Sequence, residues 1–431
     1  MDRPEIMDVL DHVQLSPDTQ ATLLLCGRFD TRSGAEGDPA RPLSGTEYLR
    51  LAKALIAHDR RPADLVGGDL SEISNTGLGE DRLRTLLQRG MAMALALERW
   101  RRTGIRVLGR GDPEYPTKLR KRLRGAAPHL LFVCGPSELL DAEALCIVGS
   151  RDATQDGIEA ARGLGRACAA ERIVVVSGGA RGVDRGAMGA ALDHGGRTVG
   201  VLSDSLAKTA LSKAYREAII ERRLVLASAA DPDARFTVSS AMDRNKYVYS
   251  LADAAVIVDS DVKGGTWSGA VENAEHRWVP AYVRLYGETR PGNKRLSDLG
   301  LLPLPEGIAD RPQLLRHMLN EPPPAAGTAS DPTQAALFST PAVGSGPVPM
   351  KGTGVDDHQP GAAEDLFNVF IDRVLALLKS EPRSEHQLAD HFGIERVQAR
   401  RWLEKAVERR LIRREGQSRP VLYGAPAHVL L

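Results

Sequence analysis

The chain has 431 residues, and its 57 Lys plus Arg stand against 56 Asp plus Glu, for a formal net charge of +1. That balance excludes a polycation that coats nucleic acid indiscriminately, while leaving room for local basic patches offset by acids elsewhere. Hydrophobic residues make up 42% of the chain, enough for real cores, yet the longest apolar runs, such as Met91 to Leu97, are far too short to span a bilayer.

The N-terminal MDRPEIMDVL carries acids and a proline where a secretion signal needs a continuous apolar stretch. Cys26, Cys134, Cys146 and Cys168 are widely spaced with no CxxC pair, which predicts buried apolar thiols and neither a metal site nor a disulfide framework. A cytoplasmic protein without membrane contact is the expectation.

Residues 1–104 are predicted to be helical. Ser44-Gly-Thr-Glu47 has the spacing of a capping box, and Tyr48, Leu51, Leu55 and Ile56 follow with helical periodicity. A Gly77-Leu-Gly79 turn then precedes Leu83, Leu86 and Leu87, an arrangement similar to helix-hairpin-helix and SAM-like modules. Such a turn can offer backbone N–H groups to a phosphate, and it is equally a plain way to join two helices.

Over residues 105–320 the pattern switches. Apolar runs at 144–148, 173–176, 198–202, 224–227, 254–258 and 279–284 alternate with Ala- and Gly-rich helical stretches. Continuous apolar strands separated by helices predict a parallel sheet covered on both faces, a doubly wound Rossmann-like α/β domain. Residues 321–363 hold eight of the 26 prolines and no periodicity, and are expected to be a flexible linker. Residues 364–431 predict three helices and a β-hairpin, the pattern of a winged helix. Its DNA contacts would be Arg396, Arg400 and Arg401 in the recognition-helix region and Arg413 and Arg414 at the wing.

The richest chemistry lies at Ile147-Val-Gly-Ser-Arg-Asp152 and Val176-Ser-Gly-Gly-Ala-Arg-Gly-Val-Asp184. Each segment puts glycines at the carboxyl end of a predicted strand, just before a helix. There the backbone can approach a ligand and the helix N-terminus offers free N–H groups. Arg151 and Arg181 add guanidinium forks suited to phosphate oxygens, so a phosphate-bearing ligand is expected. Neither turn is GxGxxG and no GxxxxGK[ST] occurs, which argues against a dinucleotide site or a P-loop.

These segments resemble those of the DprA (Smf) family of DNA-processing proteins, which lies in a wider Rossmann-like superfamily with the LOG phosphoribohydrolases. Asp112-Pro-Glu-Tyr-Pro-Thr-Lys-Leu119 and Leu131-Phe-Val-Cys-Gly135 resemble the family's lead-in. Ile147 to Arg151 resembles its IVGSR, Val176 to Asp184 its VVSGxAxGID run, and Gly195 to Leu202 the strand after it. The resemblance implies a non-catalytic mediator that binds single-stranded DNA, self-associates as a dimer, loads the RecA recombinase and needs no cofactor. Carried over by motif, the strand would meet Gly149, Ser150, Arg151, Ser177, Gly178 and Gly182, with Lys213 and Arg216 from a second segment and Arg244, Asn245 and Lys246 from a third. Tyr247 or Tyr249 would stack a base.

The stretch Lys263-Gly-Gly-Thr-Trp-Ser-Gly269 departs from the family form toward a nucleotide-binding loop, which adds Gly264, Gly265 and Thr266 to the candidate phosphate contacts. It also defines a rival, a LOG-like nucleotide-binding protein or nucleoside-monophosphate hydrolase with Glu272 as its carboxylate. A second rival is a duplex-binding regulator resting on the winged helix. Ten Lys or Arg against three acids over 98–124, and nine against three over 396–419, give two basic runs suited to DNA. Within the linker, Gln334-Ala-Ala-Leu-Phe338 resembles the QxxLF peptides that bind the replication sliding clamp, with Gln334, Leu337 and Phe338 as anchors.

Overall fold

The computed structural model describes residues 15–29, residues 41–320 apart from 204 and 236, and an interrupted set between 371 and 424. Two compact units divide the chain, 1–329 and 330–431.

The first unit opens with helices α1 (Pro17–Cys26), α2 (Gly45–Ala57), α3 (Glu80–Leu87) and α4 (Gly90–Arg102). The capping box forms as its spacing predicts. The Ser44 hydroxyl accepts the Glu47 N–H at 3.2 Å, and the Glu47 carboxylate accepts the Ser44 N–H at 2.7 Å. Arg82 pairs with the same carboxylate at 2.7 Å and, with those bonds, holds its pKa down at about 2.

A nine-stranded sheet follows. Its strands are β1 (Ile105–Gly109), β2 (Leu130–Cys134), β3 (Ala144–Val148), β4 (Val174–Ser177), β5 (Thr198–Leu202), β6 (Leu224–Ser228), β7 (Ala254–Ile257), β8 (Ala281–Val283) and β9 (Leu302–Pro303). The helices between them are α5 (Thr117–Leu123), α6 (Gln155–Ala170), α7 (Val183–Asp193), α8 (Leu206–Ala210), α9 (Lys213–Ile220), α10 (Val238–Leu251), α11 (Gly265–His276) and α12 (Pro291–Asp298), and α13 (Gln313–Asn320) comes last.

The spatial order is β1-β2-β6-β5-β4-β3-β7-β8-β9. Strands β3 to β9 are mutually parallel, as expected, but β2 pairs antiparallel with β6 and β1 antiparallel with β2. The wholly parallel sheet is thus corrected to a mixed one, with a two-stranded antiparallel extension. That extension gives the N-terminal helices a sheet face to cover. Trp100 of α4 packs edge-on against Phe132 of β2 at 5.2 Å, and Leu23, Leu51 and Leu83 share one core with Leu145 of β3 and Val175 of β4. Helices α6 and α7 bury against the same face, while α5, α10 and α11 cover the other. All four cysteines are buried free thiols.

The chain leaves β3 for β4, β5 and β6 on one side and returns to β7 on the other, so the order reverses between β3 and β7. Loops after the carboxyl ends of the parallel strands form a crest there, the edge at which open α/β sheets bind ligands. Among the described residues no helix is long and apolar enough to cross a membrane.

In the second unit, β10 (Arg383–Ser384), α14 (Glu385–Phe392), β11 (Arg413–Glu415) and β12 (Leu422–Gly424) enclose a small core of Ile371, Val374, Leu388, Leu403, Ile412 and Tyr423. The predicted hairpin is present as β11 paired antiparallel with β12, and β10 pairs with the far side of β12. Arg396, Arg401 and the Gln334–Phe338 peptide lie outside the described residues.

Candidate functional site

The turns after β3 and β4 fit into one another because they are built from glycine. A Cβ at Gly149 would lie 2.5 Å from the Val183 side chain. Gly182 has φ +77°, and a Cβ there would stand 2.4 Å from the Ser150 carbonyl oxygen. Asp184, only 4% exposed, fastens both turns by accepting the Ala180 N–H at 3.3 Å and the N–H groups of Gly149 and Gly178. Burial raises its carboxyl above the usual range, against the pull of the Arg244 cation and those N–H donors.

Arg244, from α10, lays its guanidinium on the α-carbon of Gly178, where a Cβ would come within 1.9 Å of Nη1. Only glycine at 178 admits that side chain. Arg244 also borders a cleft of about 180 Å³ with Ser203, Ser240, Asp243 and Tyr247. The Lys246 ammonium lies 5.3 Å from the Tyr247 ring centre. A cation, hydroxyls, the Asp243 carboxylate and an aromatic ring therefore share one opening. The N-terminus of α7 has no side-chain cap, and its Val183 and Arg185 N–H groups donate to the Ser150 and Ala180 carbonyls.

Other predicted residues have structural duties. The Ser177 hydroxyl is fully buried and donates to the Ile147 carbonyl at 2.6 Å. Asn245 donates its amide to the Gly265 carbonyl at 2.9 Å, bracing the start of α11. The Ser150 N–H donates to the Asp259 carbonyl at 2.7 Å, closing the β3 turn onto the β7 loop. Tyr249 is 2% exposed in the core and so cannot stack a base, which leaves Tyr247 in that role.

Arg151 and Arg181 are exposed in the turns, the latter 3.5 Å from Asp152, an open pair of little energetic weight. Lys213 and Arg216 are exposed on α9, beside β6 rather than at the β3–β7 reversal. Gly264, Gly265 and Thr266 open α11 with no side-chain cap, and a Cβ at either glycine would meet no atom within 4 Å. Glu272 sits seven residues beyond Gly265, about 10 Å along the helix. Burial raises its pKa, against the nearby Lys246 and His276.

Several supporting residues escape a motif search. Asp259, fully buried, accepts the N–H groups of Thr154 at 2.9 Å and Arg290 at 3.1 Å. Arg290 joins the Asp261 carboxylate to the Asp152 carbonyl, tying together the loops that follow β7 and β3. Arg284, also fully buried, pairs with Asp156 at 2.9 Å and donates to the carbonyls of Val258, Tyr286 and Glu288. Their only sequence signal is a charge within or beside an apolar run. Among the described residues no cluster of His, Cys, Asp and Glu could hold a metal ion.

The basic run over 98–124 is in part committed within the fold, at Arg106, Arg110, Lys118 and Arg122. Lys118 and Arg122 share Asp253 at 2.6 and 3.1 Å, Arg106 pairs with Glu114 at 2.6 Å, and Arg101 and Arg102 pair with Glu98. Arg110 donates to the Ala127 carbonyl. In the second unit Arg400 pairs with Glu385 at 2.8 Å and Arg414 lies 3.8 Å from Glu404, while Arg413 opens β11.

Residues 106–296 match the family model described as DNA recombination-mediator protein A. A putative DNA processing protein DprA from Mycobacterium tuberculosis is 33% identical over 231 residues, 50% of this chain and 56% of that protein. The chain thus spans about half the length of the curated relatives it matches. The X-ray structure of DNA processing protein A from Streptococcus pneumoniae superposes with a TM-score of 0.52 at 18% identity, covering 69% of this chain and 97% of that one, a likeness of fold. DNA processing protein A from Helicobacter pylori, described for its single-stranded DNA binding mode, gives a TM-score of 0.42 at 25% identity over 49% of this chain and 96% of that one.

Proposed function

Because the chain belongs to the DNA recombination-mediator protein A family through residues 106–296, we propose that it binds single-stranded DNA along the crest and serves recombination as a mediator without chemistry of its own. The observation that carries this reading is the Arg244 guanidinium seated on Gly178. It sets a cation beside the β4 turn, with the positive end of α7 beyond that turn and the Tyr247 ring on the same cleft as the cation. Phosphate oxygens suit the first two, and a base face suits the third. Arg151, Arg181 and Lys246 extend the cationic rim. The open Gly264-Gly265-Thr266 loop offers further N–H groups across the reversal point.

In this reading the bound strand passes to RecA, a homodimer is the working unit, and the second unit is a winged helix that assists on duplex DNA through Arg396, Arg400, Arg401, Arg413 and Arg414. Leu337 and Phe338 would dock on the sliding clamp. Clamp capture undiminished by alanine at both positions removes that partner.

The decisive test is Arg151→Ala combined with Arg244→Ala. We expect single-strand affinity to fall at least about tenfold by fluorescence anisotropy, thermal unfolding to stay within a few degrees, and stimulation of RecA strand exchange to be lost. Wild-type affinity in the double variant would overturn the crest assignment. The hydrolase rival gains nothing from the geometry, since Glu272 stands about two turns from the glycine loop.

A further inference from the structure

Between α7 and α9 the surface opens into a second cleft, of about 280 Å³, which none of the assignments above uses. Arg185 and Gly189 of α7 and Tyr215 and Glu217 of α9 line it, with Asp193 and Arg223 where α7 ends and β6 approaches. Both helices start on the crest side of the sheet, so the cleft begins at the crest and descends from it. From Gly182 to Gly189 the distance along α7 is about 10 Å.

Three features decide what fits. Tyr215 is half-buried, so its ring is partly fixed by packing while part of it faces the cleft. A Cβ at Gly189 would meet no atom within 4 Å, which leaves the α7 wall open at that point. The two arginines are balanced by Asp193 and Glu217, and Arg223 is further committed to the Leu192 carbonyl at 2.8 Å and to Glu221.

A charge-neutral slot with an aromatic wall suits the base of a nucleotide better than its phosphate. Lys213 and Arg216, exposed on the same helix, stand ready for the backbone. Carboxylates accept hydrogen bonds from an exocyclic amino group such as cytosine N4, a group that thymine lacks.

We propose that the α7–α9 cleft is a second subsite that accepts a nucleobase bearing an exocyclic amino group, from a DNA strand already held at the crest. The proposal rests on the single-strand reading above and gives that strand a direction, leaving the crest along α7 toward α9.

Anisotropy titrations of the full chain with cytosine oligomers of about 4 and about 12 nucleotides, and a thymine oligomer of about 12, test it. The wild type should favour the long cytosine oligomer. Tyr215→Ala should weaken that complex about tenfold, erase the preference over thymine and leave the short oligomer unchanged, while Tyr215→Phe keeps wild-type behaviour. Gly189→Leu, which fills the slot from its open wall, should reproduce the selective loss. Long-oligomer binding indifferent to both Tyr215→Ala and Gly189→Leu overturns the subsite while the crest reading stands on the short oligomer. Equal losses at both lengths in both variants overturn it as well, because the cleft would then have no role separate from the crest. Failure of the wild type to bind either length overturns the crest reading and the subsite together.

Discussion

Asp231 shows how one side chain couples the candidate site to the rest of the first unit. Its carboxylate accepts the Arg28 N–H at 3.0 Å, and burial pushes its pKa from 3.8 up to about 6. Two residues on, Asp233 receives Arg99 at 3.2 Å and the Trp100 indole N–H at 3.3 Å. The loop after β6, which borders the Arg244 cleft at Ala229 and Ala230, is thereby pinned to the N-terminal helices. An acid whose folded pKa lies above its unfolded value binds more protons when folded. Its contribution to stability is therefore greatest below about pH 4 and falls as pH rises toward 6. Asp231→Asn keeps an acceptor for Arg28 and should remove that slope, on the order of 2–3 kcal/mol across the window. Urea unfolding of both proteins at intervals from pH 4 to 7 checks it, and parallel pH profiles would show that Asp231 is not the group responsible.

Elements were legible wherever one force dominated. The buried parallel strands announce themselves as uninterrupted apolar runs, and β3 and β5 begin and end where those runs do. β1 was not legible as a strand, because Ile105-Arg-Val-Leu-Gly109 is short and carries a charge, and its pairing with β2 depends on partners distant in sequence. Side-chain direction within the site was less readable than position. Tyr247 and Tyr249 are two residues apart on α10, about 200° around the helix, so only one of them can face the crest. Ser177 and Asn245 sit within the matching motifs, yet they spend their hydrogen bonds on the scaffold. A motif marks where a residue stands and leaves its partner undetermined. The same holds for Arg284 and Arg290, whose carbonyl and carboxylate partners are fixed only when β7 and β8 align.

At the scale of the whole molecule, many of the charges that sum to +1 are paired with one another. The 98–124 run, suited on paper to tracking a strand, is spent in part on Asp253, Glu114, Glu98 and main-chain carbonyls, so charge counting alone would overstate its affinity for DNA. Single-strand binding should accordingly show a shallow salt slope, about −0.7 for each of the few phosphates met at the crest. Deleting residues 364–431 should leave that affinity within about threefold at matched salt. A deletion that abolished all DNA binding would instead identify a duplex-binding regulator acting through the second unit.

The outermost strand of the large sheet, Leu302–Pro303, carries a further consequence. Proline has no amide hydrogen, so a chain laid along that margin would find a donor missing from a ladder only two residues long. Growth of the sheet from one molecule into the next is disfavoured there. The protein can therefore be held at high local concentration with that route to fibrils blocked.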